Sequence, residues 1–295
     1  KSDDKLPLLK SSFKLLVDEF TSKDRIAIVT YAGEDKVILK STSGDDKRKI
    51  KKAIDKLGSG GGTAGAKGII TAYKIASENF IENGNNRVIV GTDGDFNIGP
   101  SSQEEIVALI EEKRESGVFL TTLGVGTGNY NDALLEQLAN NGNGTYEYLD
   151  DLEQAKKVFI EEYGKFYTVA KDVKVQVEFN PNVVQQYRLI GYENRLLETE
   201  DFEDDTKDAG EIGAGQNITA LYEIIPTSPS LKNSSAFTID FRYKLPDSDV
   251  STPLQLQIPD SDNSFSQASE NHRFIGSAAA FGMILRDSKF NNNVT

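Results

Sequence analysis

The chain has 295 residues, of which 38% are hydrophobic, and this is enough apolar material for the cores of two domains. Its 33 basic and 46 acidic residues give a net charge of -13, which opposes nucleic acid or an anionic membrane as the partner. Because the sequence has no cysteine and a single histidine, His272, disulfides, thiolate chemistry and a histidine-based zinc cluster are excluded. No apolar run reaches the roughly 18 residues of a membrane-spanning helix, so no transmembrane segment is predicted.

Residues 1–168 alternate between helical and strand-like periodicity, which predicts a doubly wound, mostly parallel α/β sheet covered by helices on both faces. Leu9 and Leu16 fall on one face of the first predicted helix, and Ile50 and Ile54 face inward from a charged helix. The predicted elements are, in chain order, helix "LPLLKSSFKLLVDEF", strand "RIAIVTYA", strand "KVILKST", helix "DDKRKIKKAIDKL", helix "AKGIITAYKIASENF", strand "RVIV", helix "QEEIVALIEEKRESG", strand "VFLTTLGVG", helix "NDALLEQLANNG", strand "TYEYL" and helix "LEQAKKVFIEEYGKF".

Residues 169–295 have a different pattern and predict a β-rich, sandwich-like domain. The segments "KDVKVQVEFNP" and "FTIDFRYKL" alternate apolar and polar residues with a period of two, as half-buried strands do. The segment "RFIGSAAAFGMILRDS" predicts one amphipathic carboxy-terminal helix with Phe274, Phe281 and Leu285 on one face. Between the strands, the acidic run "ETEDFEDDTKDAGE" predicts an exposed, solvated loop.

The stretch "RVIVGTDGDFNIG" is a predicted buried strand that ends on two acids, Asp93 and Asp95. Ligands of open α/β sheets bind at the carboxyl ends of the strands, so this position favours a functional site. The residues leave three interpretations open. Both acids could cap a turn or a helix. They could form a phosphatase-like pair with magnesium, in which Asp93 attacks phosphorus and Asp95 handles the proton of the leaving group. Alternatively, Asp93 is an oxygen ligand of a magnesium or manganese ion, assisted by a hydroxyl such as that of Thr63.

A glycine loop at residues 124–129 offers a further alternative. The segment "GVGTGN" follows a predicted strand, and Asp150 lies at a strand end about 20 residues on, as in dinucleotide-binding folds. Asn129, however, stands where the third glycine of that motif should pack. A nucleotide-binding α/β domain is therefore kept only as an alternative function.

Several motifs together resemble a known family. The segment "GGTAG" opens a helix, a strand ending in "TDG" follows about 30 residues later, and "SGVFLTTLGVG" and "LEQLANNGNGTYEYLDD" come after it. This order resembles a von Willebrand factor type A (vWA) domain. Farther on, "AKDVKVQVEFNP", "YRLIGYENR" and "DAGEIGAGQNITALYEI" resemble the carboxy-terminal region of a bacterial subfamily in which a β-rich extension follows the vWA domain. The resemblance implies a cell-envelope protein, periplasmic or surface-exposed and in some members lipid-anchored.

The resemblance also implies a site and a function. The family binds a divalent cation at a metal-ion-dependent adhesion site (MIDAS), with ligands from an Asp-x-Ser-x-Ser loop, a threonine and an aspartate. The threonine matches Thr63 and the aspartate matches Asp93, with Gly62, Gly94 and Asp95 supporting the loops. Magnesium or manganese held this way keeps a coordination position open for a carboxylate of a protein partner. The implied function is therefore non-enzymatic protein binding.

One part of the family pattern is missing from the sequence. The segment "KSDDKLPLLKSS" resembles the family's first helix, and neither the first strand nor its Asp-x-Ser-x-Ser loop precedes it. That strand is central in the family's sheet, and buried strands need ladder partners on both sides. We therefore expect upstream residues of a longer chain to supply the strand and three ligands. The ending "NNNVT" leads us to expect truncation of the second domain as well.

Overall fold

The computed structural model describes residues 5–31, 36–58, 65–92, 103–126, 131–192, 196–227, 235–259 and 264–290. It divides the chain into two compact units. The first comprises Lys1–Lys171 and Gly210–Gln216, and the second comprises Asp172–Ala209 and Asn217–Thr295. A short segment from the second half of the sequence thus belongs to the first unit.

Helices and strands alternate along the first unit, which confirms the predicted α/β class. A π-helical turn, Lys157–Glu161, and a 3-10 turn, Tyr163–Phe166, follow its last helix. The regular elements are α1 (Lys5–Glu19), β1 (Arg25–Thr30), β2 (Lys36–Ser43), α2 (Lys47–Asp55), α3 (Gly65–Glu78), β3 (Asn86–Thr92), α4 (Gln103–Arg114), β4 (Val118–Val125), α5 (Asp132–Asn141), β5 (Tyr146–Leu149) and α6 (Leu152–Lys156).

Strands β1 to β5 of the first unit form two separate sheets. Strands β3, β4 and β5 are parallel, with Val90 opposite Thr122 and Gly124 opposite Tyr148, whereas β1 and β2 form an antiparallel pair. Helix α3 packs on both β1 and β3, yet these two strands do not pair with each other. Within the described ranges, one edge of β1 and one edge of β3 therefore have no strand partner.

The core of the first unit lies between the β3-β4-β5 sheet and its helices. The side chains of Leu120 and Leu135 are fully buried in one hydrophobic cluster, and those of Leu123 and Phe159 are fully buried in a second cluster. Ile50 and Ile54 of α2 are also buried, as the sequence predicts. Hydrophobic burial of this extent is the main stabilising contribution to such a fold.

The second unit is β-rich and ends in a helix, as predicted. The elements from Thr168 onward are β6 (Thr168–Phe179), β7 (Val184–Ile190), a 3-10 turn (Thr199–Phe202), β8 (Gly210–Gly213), β9 (Leu221–Pro226), β10 (Ser235–Lys244), β11 (Thr252–Pro259), a 3-10 turn (Phe265–Gln267) and α7 (Glu270–Leu285). One sheet has the strand order β11-β10-β6-β8, and β7 pairs with β9 in a separate antiparallel sheet. Strand β8 and the first residues of β6 belong to the first unit.

The apolar core of the second unit is small. It consists of Val183, Val184 and Ala236, against which Phe179 and Phe237 pack. The predicted apolar face of α7 is exposed instead of buried: Phe274 is 75%, Phe281 62% and Leu285 71% accessible. A groove of about 340 Å³ runs between α7 and the β7-β9 pair; Ile190, Leu221, Ile275 and Met283 are among its lining residues. None of the described helices is long and apolar enough to cross a membrane.

The acidic run is more ordered than the predicted solvated loop. Lys174 of β6 is 2% exposed, and its ammonium donates hydrogen bonds to the backbone carbonyls of Asp201, at 2.9 Å, and Asp204. Lys244 of β10 donates to the carbonyl of Asp205 at 2.7 Å. Lys174 needs its two acceptors, because an unpaired buried charge is costly, whereas Lys244 is also ion-paired with Asp172 at 2.6 Å. Both lysines hold the backbone of the run in place.

Candidate metal centre at the carboxyl edge of the parallel sheet

The carboxyl ends of three parallel strands meet at one edge of the sheet. Strand β3 ends at Thr92, β4 at Val125 and β5 at Leu149, and the registers align these ends. Ligand crevices of open α/β sheets lie at such an edge. The predicted site residues Gly62, Thr63, Asp93, Gly94 and Asp95 all lie outside the described residues, so their assignment stays a prediction. The described residues that flank them define the surroundings of the site.

Tyr31 contacts described residues that flank the two segments of the predicted ligands. It follows β1 directly, and its hydroxyl donates a hydrogen bond of 2.8 Å to the carbonyl oxygen of Gly91, one residue before the end of β3. Its Cβ also lies close to the first turn of α3, because a Cβ built on Gly68 would be only 2.5 Å from it. Thr63 lies five positions before Gly68 and Asp93 two after Gly91. One tyrosine therefore contacts both the helix that follows the Thr63 segment and the strand that precedes Asp93.

The start of α1 lies at the same edge. A Cβ on Gly91 would lie 2.8 Å from Leu9 Cδ1, and a Cβ on Gly126, just after β4, would lie 2.2 Å from Lys5 Cε. The first and second turns of α1 are thus packed against the ends of β3 and β4. A loop that leads into α1 would arrive at the edge where Asp93 follows its strand.

The described part of the glycine loop, residues 124–126, lies at this edge as well, and residues 127–130 are outside the described ranges. Gly126 has a φ of +92°, a conformation that favours glycine, and its carbonyl accepts a hydrogen bond of 2.8 Å from the Tyr148 hydroxyl. The aliphatic part of the Lys5 side chain lies directly over Gly126. A dinucleotide pyrophosphate requires free backbone approach at such a glycine. The nucleotide-binding alternative gains no support from this packing.

A buried cation lies at the opposite end of β3. The Arg87 guanidinium donates to Thr121 Oγ1 at 2.7 Å and to the carbonyl of Phe166 at 2.9 Å, and it lies near the Phe119 ring. Burial lowers the pKa of Arg87 to about 10, so the group remains charged at neutral pH, and Glu211 counteracts part of this shift. Arg87 therefore has a structural role at this end of the sheet, because internal acceptors satisfy its guanidinium group.

Tyr73 of α3 has a different environment. Its side chain is fully buried, and its hydroxyl has no hydrogen-bond partner among the described residues. Burial raises the pKa of this phenol, so it is neutral at every physiological pH.

The donor set implied at the carboxyl edge suits a hard divalent cation. A threonine hydroxyl and a carboxylate are oxygen ligands of the type that Mg²⁺ prefers, and loops rich in glycine allow close backbone approach. The sequence predicts Thr63 and Asp93 as the ligands, and this stays a prediction, but it gave no role to Tyr31 and Lys5, which pack at this edge. For Tyr31, the signal in the sequence was an aromatic residue directly after the strand "RIAIVT".

Comparison with known proteins agrees with this fold. A family model described as von Willebrand factor type A domain matches residues 2–161, and one described as the C-terminal region of the uncharacterized protein YfbK matches residues 164–235 and 227–295. The chain therefore belongs to the von Willebrand factor type A domain family, and the predicted family and fold class are confirmed.

Individual relatives are consistent with this assignment. The uncharacterized protein YfbK of Escherichia coli (strain K12) is 42% identical over 312 residues, covering 100% of this chain and 54% of that protein. The chain thus spans about half the length of this curated relative. The solved von Willebrand factor type A protein from Catenulispora acidiphila is 16% identical, with a TM-score of 0.52 over 95% of this chain and 68% of that chain, which supports the fold.

A proximal thread matrix protein from the mussel byssus, solved with a zinc-occupied MIDAS motif, is 29% identical over 52% of this chain and 39% of that chain. Its TM-score of 0.40 is too low to bear on the site of the present chain.

Proposed function

We propose that this chain is a non-enzymatic protein-binding module that uses a divalent cation, Mg²⁺ or Mn²⁺, at a metal-ion-dependent adhesion site. Thr63 and Asp93 would hold the ion directly or through water, and Gly62, Gly94 and Asp95 would support their loops. A carboxylate of a protein partner would complete the coordination. We also propose that the protein acts in the bacterial cell envelope, and this rests on the family resemblance alone.

The observation that carries the proposal is the position of Tyr31. Its side chain contacts the first turn of α3, which follows the Thr63 segment in sequence, and the end of β3, which precedes Asp93. Ligands from separate loops can reach one ion only when the loops converge, and the shared contact with Tyr31 supports such a convergence. Because α1 starts at the same edge, an Asp-x-Ser-x-Ser loop that led into α1 would lie on the same side of the sheet.

The divided sheet supports the proposed origin of the remaining ligands. Helix α3 covers both β1 and β3, while the two strands have no pairing between them. A further strand that paired with the open edges of both β1 and β3 would join the two sheets. A strand that precedes α1 would enter this position and place its Asp-x-Ser-x-Ser loop at the carboxyl edge.

Calorimetric titration of Mg²⁺ and Mn²⁺ tests the proposal. The protein is extended upstream by the residues that precede Lys1 in its gene, and it is compared with its Thr63→Ala and Asp93→Ala variants. We expect the extended protein to bind one ion and both variants to lose at least about tenfold in affinity, because each removes an oxygen ligand.

Asp150→Ala is the matched control. Asp150 follows β5 directly in the sequence, as Asp93 follows β3. It lies at the same edge and is not a predicted ligand of the metal ion. This variant should bind the ion as the parent does. Absence of binding by the extended protein, or equal loss in the Asp93 and Asp150 variants, would show that the metal-dependent interpretation is wrong.

The phosphatase-like alternative is measured with the same samples. If Asp93 and Asp95 were a catalytic pair, the extended protein with magnesium would release phosphate from a generic aryl phosphate, and Asp93→Ala would abolish the release. We expect no release above that of the Asp93→Ala variant.

A further inference from the structure

Helix α2 carries a concentration of positive charge that contrasts with the rest of the chain. Between Lys47 and Lys56 there are six basic residues and one acid, whereas the whole chain has a net charge of -13. Such clustering in an acidic protein is a local electrostatic feature that can select a partner.

The positive charges of α2 have two different roles. Lys51 forms an ion pair with Asp18 of α1 at 2.6 Å, and Lys47 donates to the carbonyl of Asp18, so both help to hold α2 on α1. Arg48, Lys49, Lys52 and Lys56 are exposed and have no such pairing of their side chains within the described residues. Only the second group is available for an external partner.

The exposed cations share one face of the helix. Arg48, Lys49, Lys52 and Lys56 fall within about a third of the helix circumference, on the side opposite the buried residues of α2. We name these four residues the basic face. It carries no large exposed hydrophobic residue, so neither insertion into a lipid bilayer nor stacking on nucleic-acid bases has support from it.

A complementary surface is present on the second unit. The segment Glu198–Asp208, which we name the acidic segment, contains seven acids and one lysine. Glu198, Glu200 and Glu203 are exposed, and no ion pair or hydrogen bond of their carboxylates occurs in the described part of the chain.

The acidic segment is also held in a fixed conformation. The buried ammonium of Lys174 bonds the carbonyls of Asp201 and Asp204. Hydrogen bonds from Ser251 and Arg242 lower the pKa of Asp205 to about 2, so this carboxylate stays ionised. A surface that is already ordered loses less conformational entropy on binding than a flexible loop does.

We propose that the basic face binds the acidic segment of a second copy of this chain. The contact joins two different surfaces, so it is heterologous and produces a head-to-tail chain or a closed ring. Among acidic surfaces, the acidic segment is the partner whose charge, exposure and order are seen in this structure. This self-association is independent of the metal-dependent function.

The salt dependence follows from the distribution of charge. The net charge of -13 makes distant parts of two copies repel, whereas the paired surfaces attract over a few ångströms. The screening length is about 30 Å at 0.01 M salt, about 10 Å at 0.1 M and about 3 Å at 1 M. We expect association to be strongest near about 0.1 M, where long-range repulsion is screened and the contacting charges still interact.

Sedimentation velocity on the whole chain tests the proposal. The wild type is compared with a basic-face variant, R48Q/K52Q/K56Q, and an acidic-segment variant, E198Q/E200Q/E203Q. At about 0.1 M salt the wild type should form species larger than the monomer in a concentration-dependent manner, and raising the salt to about 1 M should weaken association at least tenfold. Each variant alone should remain monomeric.

The decisive sample is an equimolar mixture of the two variants. The acidic segment of the first and the basic face of the second remain intact, so one contact can form and none can follow it. The mixture should therefore yield dimers and nothing larger. The control variant K23Q/K74Q/K156Q removes three exposed lysines outside the basic face and should assemble as the wild type does.

Three results would overturn the proposal. The first is a wild type that stays monomeric at all salt concentrations. This holds also if the monomer binds polyglutamate or phosphatidylserine vesicles through the basic face. The second is a basic-face variant that assembles no differently from the K23Q/K74Q/K156Q control. The third is a mixture of the two variants that remains monomeric although the wild type assembles. Circular dichroism of every variant checks that loss of assembly is not loss of folding.

Discussion

The two units of this protein bury their hydrophobic residues to very different extents. In the first unit, side chains such as Leu120, Leu135 and Phe159 are completely buried in clusters that extend across the sheet. In the second unit, the main cluster has three buried residues, and Leu254 and Leu256 of β11 remain more than half exposed. Both units have regular strands and helices, yet their hydrophobic stabilisation should differ, because the free energy gained on folding grows with the buried apolar area.

The largest contrast should come from matched leucine truncations. Leu135→Ala in the first unit removes a fully buried side chain and should lower the free energy of unfolding by about 3 kcal/mol. Leu256→Ala in the second unit removes a side chain that is 52% exposed and should cost less than about 0.5 kcal/mol. Urea denaturation of both variants measures the difference. Equal costs would show that β11 is covered in solution.

A smaller contrast should come from two lysines that differ in burial. Lys174→Met leaves two backbone carbonyls of the acidic segment without their donor and should cost about 2 kcal/mol. Lys14→Met breaks an ion pair with Asp55 whose partners are 35% and 59% exposed, and it should cost about 0.3 kcal/mol.

Hydrogen exchange provides a second measurement of the same lysines. Amide protection in residues 199–208 should fall in the Lys174 variant alone. Unchanged protection there would mean that this lysine does not order the acidic segment.

The smallest effect should be a gain in stability within the first unit. Tyr73→Phe removes a buried hydroxyl that has no hydrogen-bond partner among the described residues, so the folded state loses an unsatisfied polar group. We expect the free energy of unfolding to rise by about 1 kcal/mol. Tyr31→Phe is the matched comparison, because it removes a hydroxyl that does bond, to Gly91, and should destabilise. A loss of stability in both variants would indicate an ordered water at Tyr73.

The sequence could predict what local pattern encodes. The order of helices and strands up to β5, and the inward face of α2 with Ile50 and Ile54, follow from spacing along one segment. The family motifs added the position of the parallel strand that ends before Asp93. These features need no knowledge of distant contacts.

Other features depend on contacts between remote segments and carry no local signature. The pattern of Phe274, Phe281 and Leu285 is amphipathic, but periodicity cannot show that the structure leaves this face exposed. The acidic run resembles a solvated loop because the buried donor, Lys174, lies 27 residues away from Asp201. The link from Tyr31 to Gly91 spans 60 residues and appears only when the strands are assembled.

The segment Gly210–Gln216 has a consequence for how the protein can be divided. It joins the first unit through a hydrogen bond of 2.9 Å from the Ala214 amide to the Tyr167 carbonyl, and Gly213 packs so tightly on the Lys165 backbone that a Cβ would lie 2.0 Å from its carbonyl oxygen. A fragment cut after Lys171 would lack this piece. We therefore expect the vWA part to be less stable alone than in the whole chain, and a β-rich half exchanged between relatives should keep a glycine at this point, where a Cβ would clash.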